Sequence, residues 1–133
     1  MKLIHHQQQR REDWRDGVTT VMLVSAETSA SQLCIFEQYC EPGLGAPTHL
    51  HAVEEILTVI DGQANIWLGD ERTRVKAGSS LIIPAGAWHG FQNALSTTLH
   101  VRATLAAPIF EASYQDSNEL SRRYLPATPL KGS

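Results

Sequence analysis

Two histidines one residue apart, His49 and His51, stand just upstream of the carboxylate pair Glu54-Glu55. A third, His89, follows the turn sequence Pro84-Ala85-Gly86. Imidazole nitrogens and carboxylate oxygens hold divalent transition metals, and three of the first with one of the second leave one or two positions open for water or substrate. On a strand, side chains at i and i+2 share a face, so His49 and His51 can aim the same way. Their Cα atoms would lie ~7 Å apart, a span that two imidazoles close around one ion with bonds of ~2 Å. Glu55 lies ~13 Å beyond His51 if the chain runs straight, too far for a shared site. For Glu55 to join, the chain must bend at Ala52-Val53-Glu54, so that Glu55 opens the next strand. Proline fixes φ and glycine admits a tight turn, and Gly-bounded hairpins on both sides would return His89 beside the His-Leu-His strand. Alone, a His-x-His pair next to glutamates is more often a solvated surface stretch.

The elements that must position these residues are strands. From Val18 to Leu105 short β-rich runs alternate with turn residues: Val18–Ser25, Ser31–Cys40, Glu55–Ile60, Gln63–Leu68, Thr73–Val75, Ser80–Ile83, His89–Gln92 and Thr97–Leu105. Asp61-Gly62, between two apolar runs, reads as a hairpin turn, because positive φ is needed at its centre. Such spacing predicts an all-β sandwich or barrel. Residues 1–16 read as a polar N-terminal arm, 17–110 as the barrel, and 111–133 as a C-terminal helix and tail. Asp116-x-x-Glu119 resembles a capping box and Pro126 supplies a stop.

Ten positions, most of them already met, stand at fixed spacings. Gly43, His49, His51, Glu55 and Gly62 satisfy Gly-x5-His-x-His-x3-Glu-x6-Gly. Gly78, Pro84, Gly86, His89 and Asn93 satisfy Gly-x5-Pro-x-Gly-x2-His-x3-Asn. In both patterns the chain resembles the cupin family, with no motif position departing. The resemblance implies a jelly-roll barrel (a double-stranded β-helix of two antiparallel sheets) with a metal inside one end. It carries the ligand roles onto His49, His51, Glu55 and His89, for one divalent ion: iron, manganese, nickel, zinc or copper. By analogy with other members it implies a metal-dependent enzyme on a small organic substrate, dioxygenase-type chemistry first and isomerase or lyase chemistry next. The alternative is a small-ligand-binding barrel with a structural metal. Glu55 would also be the catalytic base if it loosens from the metal.

Alternation from His89 puts Phe91 on the cavity side and Trp88 outside or at the mouth. Phe36 and Gln38 share a face with Cys34 and Cys40, opposite Leu33, Ile35 and Tyr39; if the first face is interior, Phe36 and Gln38 meet the substrate. Asn93 reads as a turn-stabilising hydrogen-bonder. His100 and Arg102 share a face of the last long run; inside, the arginine would select anions, but a surface polar row is the favoured reading. Trp14 and Trp67 read as packing or subunit-contact residues.

Composition sets the outer bounds. With 133 residues, 42% hydrophobic and 19% charged, the chain makes one domain. The formal net charge of −3 argues against nucleic acid, which requires clustered Lys and Arg. No apolar run approaches the ~20 residues of a membrane span or resembles a signal segment. The two cysteines, six apart on one strand, would sit roughly 20 Å apart, beyond the ~7 Å disulfide limit, which suits a reducing compartment and predicts a cytoplasmic protein. Apolar residues on both faces of Ile56–Ile60 predict a homodimer.

Overall fold

A computed structural model describes residues 1–117 and 120–126. In chain order the strands are β1 (Arg11–Arg15), β2 (Val18–Val24), β3 (Cys34–Cys40), β4 (Gly45–Leu50), β5 (Glu55–Asp61) and β6 (Gln63–Leu68). They continue as β7 (Glu71–Lys76), β8 (Ser79–Ile83), β9 (His89–Asn93), β10 (Leu99–Leu105), β11 (Phe110–Tyr114) and β12 (Leu120–Arg123). They form two six-stranded antiparallel sheets, ordered β1-β2-β3-β10-β5-β8 and β12-β11-β4-β9-β6-β7. This is the expected all-β jelly roll. Alternating residues of each sheet point inward: Glu55, Leu57 and Val59 on β5, Val101, Ala103 and Leu105 on β10, and His89, Phe91 and Asn93 on β9.

Three expectations are corrected. Asp61-Gly62 does not close a hairpin. β5 pairs with β10 and β8, whereas β6 pairs with β7 and β9, so this turn carries the chain from one sheet to the other. Gly62 has φ +90°, so the positive φ is there, but the two-residue hairpins are Asp16-Gly17, between Arg15 and Val18, and Gly69-Asp70, between Leu68 and Glu71. A turn's conformation does not choose the partners of the strands it joins.

The short C-terminal helix is also absent among the described residues. Leu120–Arg123 is a strand paired with β11, and Arg122 bridges Glu111 directly across the pair at 2.5 Å. Glu119 of the supposed capping box, and the tail from residue 127, lie outside the described residues. The polar arm, finally, contains a strand. Residues 11–15 pair with β2 and place Trp14 against Phe36 and Phe110, at ring-centroid distances of 5.7 and 4.7 Å. Trp14 is the only apolar side chain of this edge strand, so its sequence carries no apolar alternation to read.

A candidate metal centre inside the barrel

Four side chains converge at one end of the barrel interior. β4 carries His49, His51 lies just past its end, β5 opens on Glu55 and β9 opens on His89. The bend that sequence geometry demands is present. Ala52–Glu54 leave strand conformation and the chain crosses between sheets, so Glu55 turns back toward the histidines. β9 pairs directly with β4, with His49 opposite His89. The Pro84–Gly86 turn is tied to the same place, because Gly86, at φ +76°, donates its N–H to the His51 carbonyl at 2.7 Å. Thus the backbone of one ligand candidate anchors the turn that delivers another.

All four residues are buried, and their donor atoms lie within 4.8 Å of one another. Donors bonded to one ion at about 2.0–2.2 Å stand roughly 3–4.4 Å apart, so little adjustment would close the group around a cation. Hydrogen bonding fixes how the rings present themselves. Nδ1 of His49, His51 and His89 lies 2.6, 2.7 and 2.9 Å from the carbonyls of Pro47, Glu111 and Ala87. A carbonyl can only accept, so each Nδ1 carries the hydrogen and each neutral ring turns its Nε2 lone pair away from its carbonyl.

Nε2 of His51 and of His89 face the same Glu55 oxygen, at 3.2 and 2.9 Å. Lone pairs pointing at a carboxylate need positive charge between them, either a proton or a metal ion. Burial pushes the His49 imidazole down to about 3, helped by His89 and His51, so this ring stays neutral and available to donate. Burial opposes ionisation of Glu55, but the hydrogen bonds and charges of His51 and His89 outweigh it and hold the carboxyl at about 2. His51 moves the other way: burial disfavours its cation, yet bonding to Glu55 and the Glu55 charge raise it overall. Three carbonyl-held imidazoles, two of them facing an ionised carboxylate, are a donor set that fits a divalent transition metal.

The cluster opens on a narrow, partly enclosed chamber with a cavity volume of about 20 Å³. Phe36, Gln38 and Phe91 line it, so the Phe36–Gln38 face is the interior one. Gln38 donates to the Thr20 hydroxyl at 3.0 Å. Trp88 is 39% exposed and outside, as alternation from His89 requires. Asn93 is a structural tie, donating to the carbonyls of Cys40 and Thr97 and accepting from the Leu95 N–H. Trp67 packs over Gly90 and donates to Thr48. His100 and Arg102 lie on the outer face, engaged with Glu37. Sequence reasoning missed Arg15, Tyr114 and Phe110 as lining residues. Tyr114 sits opposite His49 in the β11–β4 register, but neither β1 nor β11 was legible.

Residues 36–105, more than half of the chain, match the cupin domain, and the four converging residues fall within that match. The chain belongs to the cupin family. Among curated proteins, this cupin is 38% identical over 58 residues to an uncharacterized protein of Streptomyces coelicolor, a match spanning 44% of this chain and only 54% of that protein. Three solved structures share the fold. The polyketide cyclase RemF of Streptomyces resistomycificus aligns with TM-score 0.71 at 21% identity, over 96% of this chain and 87% of that one. An oxalate decarboxylase of Lactobacillus farciminis aligns at 0.76 and 18%, over 84% and 35%. The salicylate 1,2-dioxygenase of Pseudoaminobacter salicylatoxidans aligns at 0.63 and 16%, over 71% and 26%.

Proposed function

We propose that this cupin is a metal-dependent enzyme acting on a small organic molecule, with dioxygenase-type chemistry first and isomerase or lyase chemistry second. The observation that carries the proposal is the convergence of three carbonyl-held imidazoles and one ionised carboxylate on a chamber with a mouth. His49, His51, Glu55 and His89 would hold the ion. Bound there, a divalent metal supplies Lewis acidity, and iron, manganese or copper supplies redox chemistry with dioxygen as well. The likeness in fold to a dioxygenase and to a decarboxylase supports both classes of chemistry without ranking them.

The remaining work falls to the chain itself. Phe36 and Phe91 form apolar walls that exclude water and hold a flat or aliphatic substrate body. The Gln38 amide, braced by Thr20, offers a neutral polar contact. Glu55, ionised and buried, is the proton acceptor of the chamber once one of its oxygens is free. A second reading, a small-ligand binder with a structural metal, is favoured by one feature, the tightness of the chamber. Oxygen uptake by metal-loaded protein, screened with catechols, flavonols and thiols, separates the two. Substrate-dependent uptake that disappears in His89→Ala is expected; none with any class argues for the binder.

Ile56, Ile60 and Ile82 stand on the outer face of the first sheet, with Ile82 62% exposed, and we assign this face to an isologous homodimer. Light scattering at working concentration should give twice the chain mass. Cys34 and Cys40 are both free and buried, and burial pushes both thiols up to about 12, which accords with a reducing, cytoplasmic setting.

A further inference from the structure

Arg15 reaches the chamber from the edge strand β1. It is half-buried beside the mouth, where its Nη1 donates to the Gly45 carbonyl at 3.0 Å and its Nη2 to the Tyr114 hydroxyl at 3.3 Å. Both partners are neutral, and among the described residues no carboxylate lies within ion-pair distance of this guanidinium. Every other arginine that meets an acidic side chain (Arg10, Arg102 and Arg122) does so outside the chamber. The Arg15 charge is therefore positioned but not neutralised, at a place where apolar walls weaken its hydration.

Tyr114 links this cation to the cluster. Its ring lies 5.6 Å from that of His49, and the Arg15 guanidinium carbon is 6.0 Å from the Tyr114 ring centre. A guanidinium fork and a phenol hydroxyl together match a planar oxyanion, accepting from both. We infer that Arg15 and Tyr114 form an anion-recognition subsite, so that the substrate is a small carboxylate whose charged end lies against Arg15 while its reacting end faces the histidines. The orientation toward the histidines rests on the proposed function; the anion subsite does not.

The test uses benzoate and its neutral isostere benzamide as probes of full-length, metal-loaded protein, with bound metal measured on every sample. Wild type should bind benzoate at least about 10-fold more tightly than benzamide. Arg15→Met should lose roughly 10- to 100-fold for benzoate and leave benzamide and the metal content unchanged. Arg15→Lys should recover part of the loss, and Tyr114→Phe should show a smaller one. Equal binding of the two probes by wild type, or of benzoate by wild type and Arg15→Met, overturns the subsite. Repeating the series on metal-free protein separates the two claims. If metal never binds yet the Arg15-dependent benzoate preference persists, the metal reading fails and the subsite stands.

Discussion

Two histidine–carboxylate groups face opposite ways from the same sheet. Inside, Glu55 on β5 meets Nε2 of His51 and His89; outside, Glu37 on β3 meets Nε2 of His100 at 2.6 Å. Both carboxylates are buried and both are held ionised: burial works against each, and hydrogen-bonding partners outweigh it. The outer group nonetheless has its own cation. Arg102 donates Nε to the second Glu37 oxygen at 2.8 Å, and the His100 ring lies flat on Tyr39 at 4.2 Å. Among the described residues the inner group has no arginine or lysine partner, and its donors point at one centre. A carboxylate beside an imidazole is thus not itself a metal-site signal. The signal is convergence of lone pairs with no resident cation.

The largest expected difference between the groups is metal-linked stability. A divalent ion at 100 times its Kd should stabilise wild type by ~2.7 kcal/mol in urea unfolding. His89→Ala should lose that gain, whereas His100→Ala should keep all of it. The outer group should matter only to the fold. Glu37→Gln should cost about 1–2 kcal/mol, since a charged hydrogen-bond acceptor is lost but Arg102 is partly solvated, and should leave metal binding untouched.

Acid should sharpen the contrast. The Glu37 carboxyl titrates lower in the folded chain than unfolded, so its contribution is whole above the unfolded value of about 4.3 and is lost as pH falls through the folded value. The stability gap between wild type and Glu37→Gln should stay flat from about pH 7 to 5 and close below that range. The smallest effect is Tyr39→Leu, which removes the stack on His100 and the Arg11 contact at 4.9 Å; a loss of about 0.5–1 kcal/mol is expected by the same unfolding assay.

The inner group was almost fully legible in the sequence, and its surroundings only partly so. His49, His51, Glu55 and His89 carry fixed spacings, and strand geometry alone demanded the bend at 52–54. The side of β3 that faces inward could not be read, because Phe36 and Gln38 alternate with Ile35, Glu37 and Tyr39 without a clear apolar face. Glu37 is buried on the outer side by partners from β10, a distant segment. The strands β1, β11 and β12 escaped notice for a related reason. Each becomes a strand by pairing with residues far away, and Leu120–Arg123 has no local pattern that outweighs a plausible helix cap. Arg15 and Tyr114 were missed with them, since they are 99 residues apart and meet only through that pairing.

The most direct test is elemental analysis of protein purified without a polyhistidine tag or chelator, as wild type, His49→Ala and His100→Ala, each re-exposed to divalent ions. Close to one equivalent of metal is predicted in wild type and His100→Ala, with none above background in folded His49→Ala. Full occupancy in His49→Ala, or no binding by wild type after metal is added back, would contradict the inner group as a metal centre.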